Sequence, residues 1–364
     1  MDTFRRLSII EKQKLLAAGF SSTFLVANEN LYACGRNDTG ELGLGDLVDR
    51  AELTRVSLNG VEGAIVDVTA SMVSAFVVRQ RALYACGYNE EGQLGLGDRE
   101  PRQEFTRVPF DMEIRAVYTG MRYTFVVTES GMLYACGDNY ENQLGLGDKQ
   151  NRLVLTHVPT PEDVKTVAAG EDFTIVLAES GVAYTCGSNY YGQLGLGDKQ
   201  DRSTLTRVPL DEAVEAIAAI YNSAFFVTSS GALYACGYNY EEQLGLDDED
   251  SFETLTLVPI PEPVVKVFAR YESVFAVTAK GELYACGNNI YGQLGLGRDG
   301  EVEVMFAKVP IVKDVQIVAC GKSHTAILDS EGRLYTCGES EYGQLGFEDR
   351  QMQSNLFVEV PTSD

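Results

Sequence analysis

Leu83-Tyr84-Ala85-Cys86-Gly87-Tyr88-Asn89-Glu90-Glu91-Gly92-Gln93-Leu94-Gly95-Leu96-Gly97-Asp98 is the stretch that decides the architecture, because near copies of it recur along the whole chain. Seven versions exist. Their Cys-Gly pairs begin at Cys34, Cys86, Cys136, Cys186, Cys236, Cys286 and Cys337, at successive spacings of 52, 50, 50, 50, 50 and 51 residues. So regular a period marks a repeat architecture. Within one copy, Leu-Tyr-Ala-Cys is a short β-type run suited to a pleated, buried surface. The Asn-x-x-Gly-Gln-Leu-Gly-Leu-Gly-Asp segment that follows is turn chemistry. Its glycines supply positive φ or close backbone approach, and the amides of Asn89 and Gln93 can bond turn backbone otherwise left unpaired.

Dividing 364 residues by seven gives about 52 per unit, enough for one four-stranded sheet with its turns and too few for a separate domain. The core must therefore form between units. The 36 Gly, 19 Tyr, 16 Phe and 45% hydrophobic content describe a turn-rich β protein. No apolar run approaches the roughly 20 residues of a membrane-spanning helix, and Met1 to Leu7 lack a signal-peptide pattern; the expectation is a cytoplasmic or nuclear protein. A formal charge of -24 argues against a general grip on nucleic acid or anionic membrane, which takes clustered Lys and Arg. Seven of the eight cysteines hold one equivalent position about 50 residues apart. Equivalent positions in a radial array do not touch, so they are read as reduced, buried packing residues, and Cys320, where another unit has Ala169, likewise.

In chain order, residues 1–14 precede the first repeat, and Phe4, Leu7, Ile9 and Ile10 give them the apolar character to pack on the array as a strand or short helix. Residues 15–364 read as one seven-repeat domain. Each unit offers four strand-sized runs, as in Leu15-Leu16-Ala17-Ala18, Thr23-Phe24-Leu25-Val26, Leu31-Tyr32-Ala33-Cys34 and Leu53-Thr54-Arg55-Val56. Val-Pro pairs, from Val108-Pro109 to Val360-Pro361, fall between units, where proline suits a strand end. Four units place Arg four residues after Asp (Asp46/Arg50, Asp98/Arg102, Asp148/Arg152, Asp198/Arg202), which predicts a repeated local ion pair. The acidic run beginning at Asp247 lacks the spacing and Gly of a calcium loop and reads as a solvated loop.

The repeated Gly-x-Asn-x-x-Gly-Gln-Leu-Gly-Leu-Gly-Asp pattern, with a preceding Gly-x-x-x-Thr, resembles the repeat of the regulator of chromosome condensation family over residues 15–361. The resemblance implies an all-β, seven-bladed β-propeller of four-stranded antiparallel blades. It also brings functional expectations. One activity of the family is guanine nucleotide exchange on the small GTPase Ran through an extra hairpin, and no unit here exceeds its neighbours by more than two residues. A light sensor like the family's plant ultraviolet-B photoreceptor is excluded, because its chromophore is tryptophan and this chain has none. The family's Gly-x-x-His-Thr survives only in Gly321-Lys322-Ser323-His324-Thr325.

No catalytic, cofactor or metal site is expected. The two histidines, His157 and His324, sit in repeat positions that read as an outer edge and a structural slot; there is no phosphate loop and no chelating metal spacing. Positions that differ between copies are free to specialise, and two such groups fall on one face in the family's geometry. Arg122, Tyr123, Tyr221, Asn222, Tyr271 and Glu272 follow the inner strand; Tyr88, Tyr140, Tyr190, Tyr191 and Tyr238 lie in the turn after Cys-Gly. Tyr and Arg commonly dominate interfaces, although tyrosines there would equally fill gaps between blades. The sequence thus predicts a non-catalytic scaffold binding a protein or peptide partner, with exchange on a Ran-like small GTPase as the alternative.

Overall fold

In a computed structural model, which describes residues 16–58, 63–240, 242–247, 250–300, 302–310, 315–347 and 353–361, the four runs of each repeat form one antiparallel sheet. There are seven such sheets, each made of four consecutive strands in chain order. Blade 1 comprises Leu16–Ala18, Ser22–Ala27, Asn30–Gly35 and Arg50–Arg55; blade 7 comprises Val315–Cys320, His324–Asp329, Leu334–Gly338 and Ser354–Glu359. The result is the expected all-β, seven-bladed propeller. The last strand belongs to its own blade, so the ring closes by packing blade 7 against blade 1 rather than by sharing a strand. Residues 1–14 lie outside the described residues.

The core is divided among seven seams. Seven apolar clusters each join one blade to the next, and the last joins Leu16, Ala18 and Leu25 to Ile317, Ala319 and Ala326. A blade is thus covered on both faces, which explains why second strands such as Tyr123–Thr128 are buried at every position and read as continuous apolar runs. Outer strands such as Arg202–Arg207 are only half covered. Small residues of the inner strands, among them Ala18, Ala169 and Ala219, line a central channel of about 270 Å³.

The glycine-rich turn works as a clasp between blades. In blade 2, Gly97 N–H donates to Leu153 of blade 3 at 2.9 Å, and Leu96 bridges Val154. Asn89 braces the turn from within, accepting from Leu94 N–H at 2.9 Å and donating to the Asp98 carbonyl at 3.0 Å. That leucine is fully buried in all seven copies. Glycine is obligatory where the next blade's backbone passes: a Cβ on Gly192 (φ +81°) would lie 2.4 Å from the Cα of Glu253, and one on Gly343 (φ +85°) would lie 2.3 Å from the Cα of Ala51. The cysteines pack beneath the clasps. Each Sγ of the seven lies 3.3 to 3.8 Å from the Gln or Glu carbonyl of the preceding blade's turn. All eight are free and buried, as expected, and burial pushes Cys34 and Cys186 up to about 12. The four Asp/Arg pairs form at 2.6 to 2.7 Å.

Candidate functional site

Strand register places both variable groups on one face. Tyr123 pairs with Gly137, and Ser223 with Gly237, so the turn after the inner strand and the turn after Cys-Gly emerge from the same end of each blade. Five of the inner turns come in two designs. In blades 3, 4 and 7, a glycine ends the inner strand and a ring three residues later tucks beneath it; a Cβ on Gly120, Gly170 or Gly321 would lie 2.2, 2.2 or 2.0 Å from Tyr123, Phe173 or His324. In blades 5 and 6 the inner strand runs on through Ile220 and Arg270, a serine replaces the ring, and the chain reverses at Tyr221 and Tyr271 with φ +39° and +54°.

These designs correct two expectations. Tyr123 is core: it is buried, and its hydroxyl donates to the carbonyls of Phe173 and Gly170 in blade 4 at 2.6 and 3.1 Å. It shares one repeat position with Phe173 and His324, a signal present in the sequence. Tyr271 is also buried, held over the channel mouth by edge contacts with Phe20 at 5.4 Å and Tyr221 at 6.4 Å. Beside it Arg270, 5.5 Å from that ring, reaches across the channel to donate to Thr119 Oγ1 at 3.3 Å. Aromatic rings and one guanidinium therefore cap the channel.

The rest of the inner group is largely tied into the scaffold. Tyr221 is half-buried. Asn222 donates to Glu171 at 3.2 Å and accepts from Gln193 at 3.0 Å, while Glu272 accepts from Asn288 at 2.7 Å. Arg122 is exposed and reaches Asp138 at 3.6 Å.

The outer group forms the rim. One exposed position follows the braced Asn in successive blades, and reads Asp38, Glu90, Tyr140, Tyr190, Tyr240, Ile290 and, after Ser340, Glu341. Blades 3 to 6 thus carry an apolar arc, with Tyr140 59%, Tyr190 70%, Tyr240 55% and Ile290 50% exposed. Tyr240 and Ile290 were not among the expected site residues, though the column that holds Tyr140 and Tyr190 contains them. Tyr88 and Tyr238 precede the Asn and are half-buried, and Tyr88 donates to Glu90 at 2.5 Å. Across blades 4 and 5 the rings are continuous: Tyr190 to Tyr191 at 4.8 Å, Tyr191 to Tyr238 at 4.9 Å and Tyr238 to Tyr240 at 5.1 Å, all edge to face. Among the described residues, no group of three His, Cys, Asp or Glu is placed to hold a metal ion.

Seven blades and a turn face whose scaffold is constant while its tips vary define an RCC1-type propeller. The RCC1-like domain pattern matches residues 6–269, and RCC1 repeat patterns match 280–328 and 315–344; the chain belongs to the RCC1-like family. Similar proteins include the secretion-regulating guanine nucleotide exchange factor of Bos taurus, 36% identical over 28% of this chain and 22% of that protein. The X-linked retinitis pigmentosa GTPase regulator of Homo sapiens is 42% identical over 24% of this chain and 9% of its own length. The matches therefore span under a quarter of either relative. Among solved structures, human WBSCR16 superposes with a TM-score of 0.81 at 20% identity, covering 92% of this chain and 95% of that one. Yeast RCC1 (Prp20), solved bound to Kap60, does so with 0.82 at 19% identity, covering 97% and 86%. Those two likenesses are of fold.

Proposed function

We propose that this chain is a non-catalytic interaction propeller of the cytoplasm or nucleus, which takes a protein or peptide partner on its turn face, with the apolar arc of blades 3 to 6 as the main contact. The observation that carries the reading is the run of exposed rings, because side chains so large and so open have no role in holding the blades and form the kind of patch that marks an interface. The placement of the histidines also supports a non-catalytic role. His324 is sealed between blades 7 and 1, and His157 lies on an outer strand. The test is affinity capture from native extract with the wild-type chain and a Tyr190→Ser/Tyr240→Ser variant. Loss of captured protein with an unchanged melting temperature is expected; capture that survives the double change overturns the reading.

Guanine nucleotide exchange is the second reading, favoured by a relative that is itself named an exchange factor. Release of fluorescent nucleotide from small GTPases, accelerated by catalytic amounts of this protein, would establish it in place of the first.

A further inference from the structure

Besides Arg270 on Tyr271, the turn face holds a guanidinium on a tyrosine at its rim. At the seam between blades 7 and 1, Arg36 lies 5.7 Å over the ring of Tyr342 and pairs with Asp38. Tyr342 and Arg36 stand five residues after Cys337 and two after Cys34. The same two positions at the seam between blades 4 and 5 are Tyr191 and Tyr238. There the internal cation is replaced by a second ring, and the aromatic surface is left open outward through Tyr190 and Tyr240.

Carboxylates share the turn face with those rings. Glu171 is tied to the ladder through Asn222 and Gln193, whose Oε1 accepts from Tyr191 N–H at 3.0 Å. Next to Glu171 is Asp172, pushed up to about 6 by burial and by the charges of Glu171, Asp138 and Glu141, against the opposing pull of Arg122. Crowded carboxylates on one face with open π-faces are complementary to cationic side chains, which aromatic faces attract and carboxylates neutralise.

We infer that the arc on blades 3 to 6 docks a lysine- and arginine-rich segment of a partner protein, with tyrosine faces taking the cationic side chains as Tyr342 takes Arg36. This rests on the interaction role proposed above and specifies its partner. An apolar segment or a second copy of this chain would use the rings without the carboxylates.

Anisotropy of fluorescein-labelled (Gly-Arg-Gly-Lys)3, (Gly-Glu-Gly-Asp)3 and (Gly-Leu-Gly-Ser)3 peptides against the full chain tests the inference. The basic peptide alone should bind. Tyr190→Ser/Tyr240→Ser leaves the net charge untouched and should weaken that binding by at least about tenfold. Glu129→Gln/Glu179→Gln, on the opposite face, removes two charges and should change it by less than about twofold. Equal binding by wild type and the tyrosine variant would mean general attraction to an acidic chain, and would overturn the inference. So would preference for the apolar peptide, no binding of any peptide, or self-association that the tyrosine variant abolishes. If the tyrosine variant loses its captured protein yet the basic peptide never binds, the interaction role stands and the basic partner falls.

Discussion

Asn139 and Tyr140 are neighbours in the chain, yet the first is fully buried and the second is 59% exposed. The boundary between the underside and the tip of the glycine-rich turn runs between them. On the underside the side chains and backbone serve the ring: Asn139 braces the turn, Leu144 fills the seam, and Gly147 N–H donates to blade 4 at 2.9 Å. At the tip the side chain is exposed in every blade, so Asp, Glu, Tyr and Ile all occur there. Within one turn, the neighbouring blade dictates some residues and leaves the others open for a different molecule.

This contrast can be broken most directly from below. Leu144→Ala would empty a fully buried site and should lower stability by about 2–5 kcal/mol in chemical denaturation. Tyr190→Ser, on the tip, should change it by less than about 0.5 kcal/mol. Comparable losses would erase the distinction.

A smaller effect separates one seam from the other six. His324 is fully buried between blades 7 and 1, with Nε2 3.0 Å from Thr23 Oγ1, and burial holds its pKa down at about 4 from an ordinary 6.5. The folded protein therefore keeps it neutral while the unfolded chain takes up a proton below pH 6.5, so its contribution to stability falls with pH, by about 2 kcal/mol at pH 5 and about 3 at pH 4. Asp172, raised to about 6, acts in the opposite sense, which is why the measurement must be differential. His324→Phe borrows the residue that blade 4 uses in the same slot, and should gain on wild type as the pH falls from 7 to 4. A constant difference in unfolding free energy would place the acid sensitivity elsewhere.

The smallest expected effect is at the turn's outer end. Arg152 pairs with Asp148 at 2.7 Å on the surface, so Arg152→Ala should cost less than about 1 kcal/mol and should cost less still in high salt.

The blades could be read from the sequence because each physical demand recurs at a fixed spacing: Gly where the next blade's backbone passes, Leu where the seam is filled, Cys where a clasp sits on top. The ion pairs were legible for the same reason. Tyr123 and Tyr271 were misplaced because they differ from their counterparts in other units, and difference was taken as freedom. Tyr123, Phe173 and His324 are three fillings of one buried slot, and Tyr271 is turned inward by a positive-φ reversal that follows Arg270, where blades 3, 4 and 7 have glycine. Tyr240 and Ile290 escaped notice because their importance lies in forming an unbroken arc, a property of the ring and not of any single repeat.

The clasp also bears on how the wheel is shut. Thr23 of blade 1 donates to the Gln344 carbonyl at 2.7 Å, just as Thr174 of blade 4 donates to Gln143 at 2.7 Å. First and last sectors thus meet through the same rivets as sectors joined by polypeptide, and covalent threading from one to the next is incidental to keeping the circle whole.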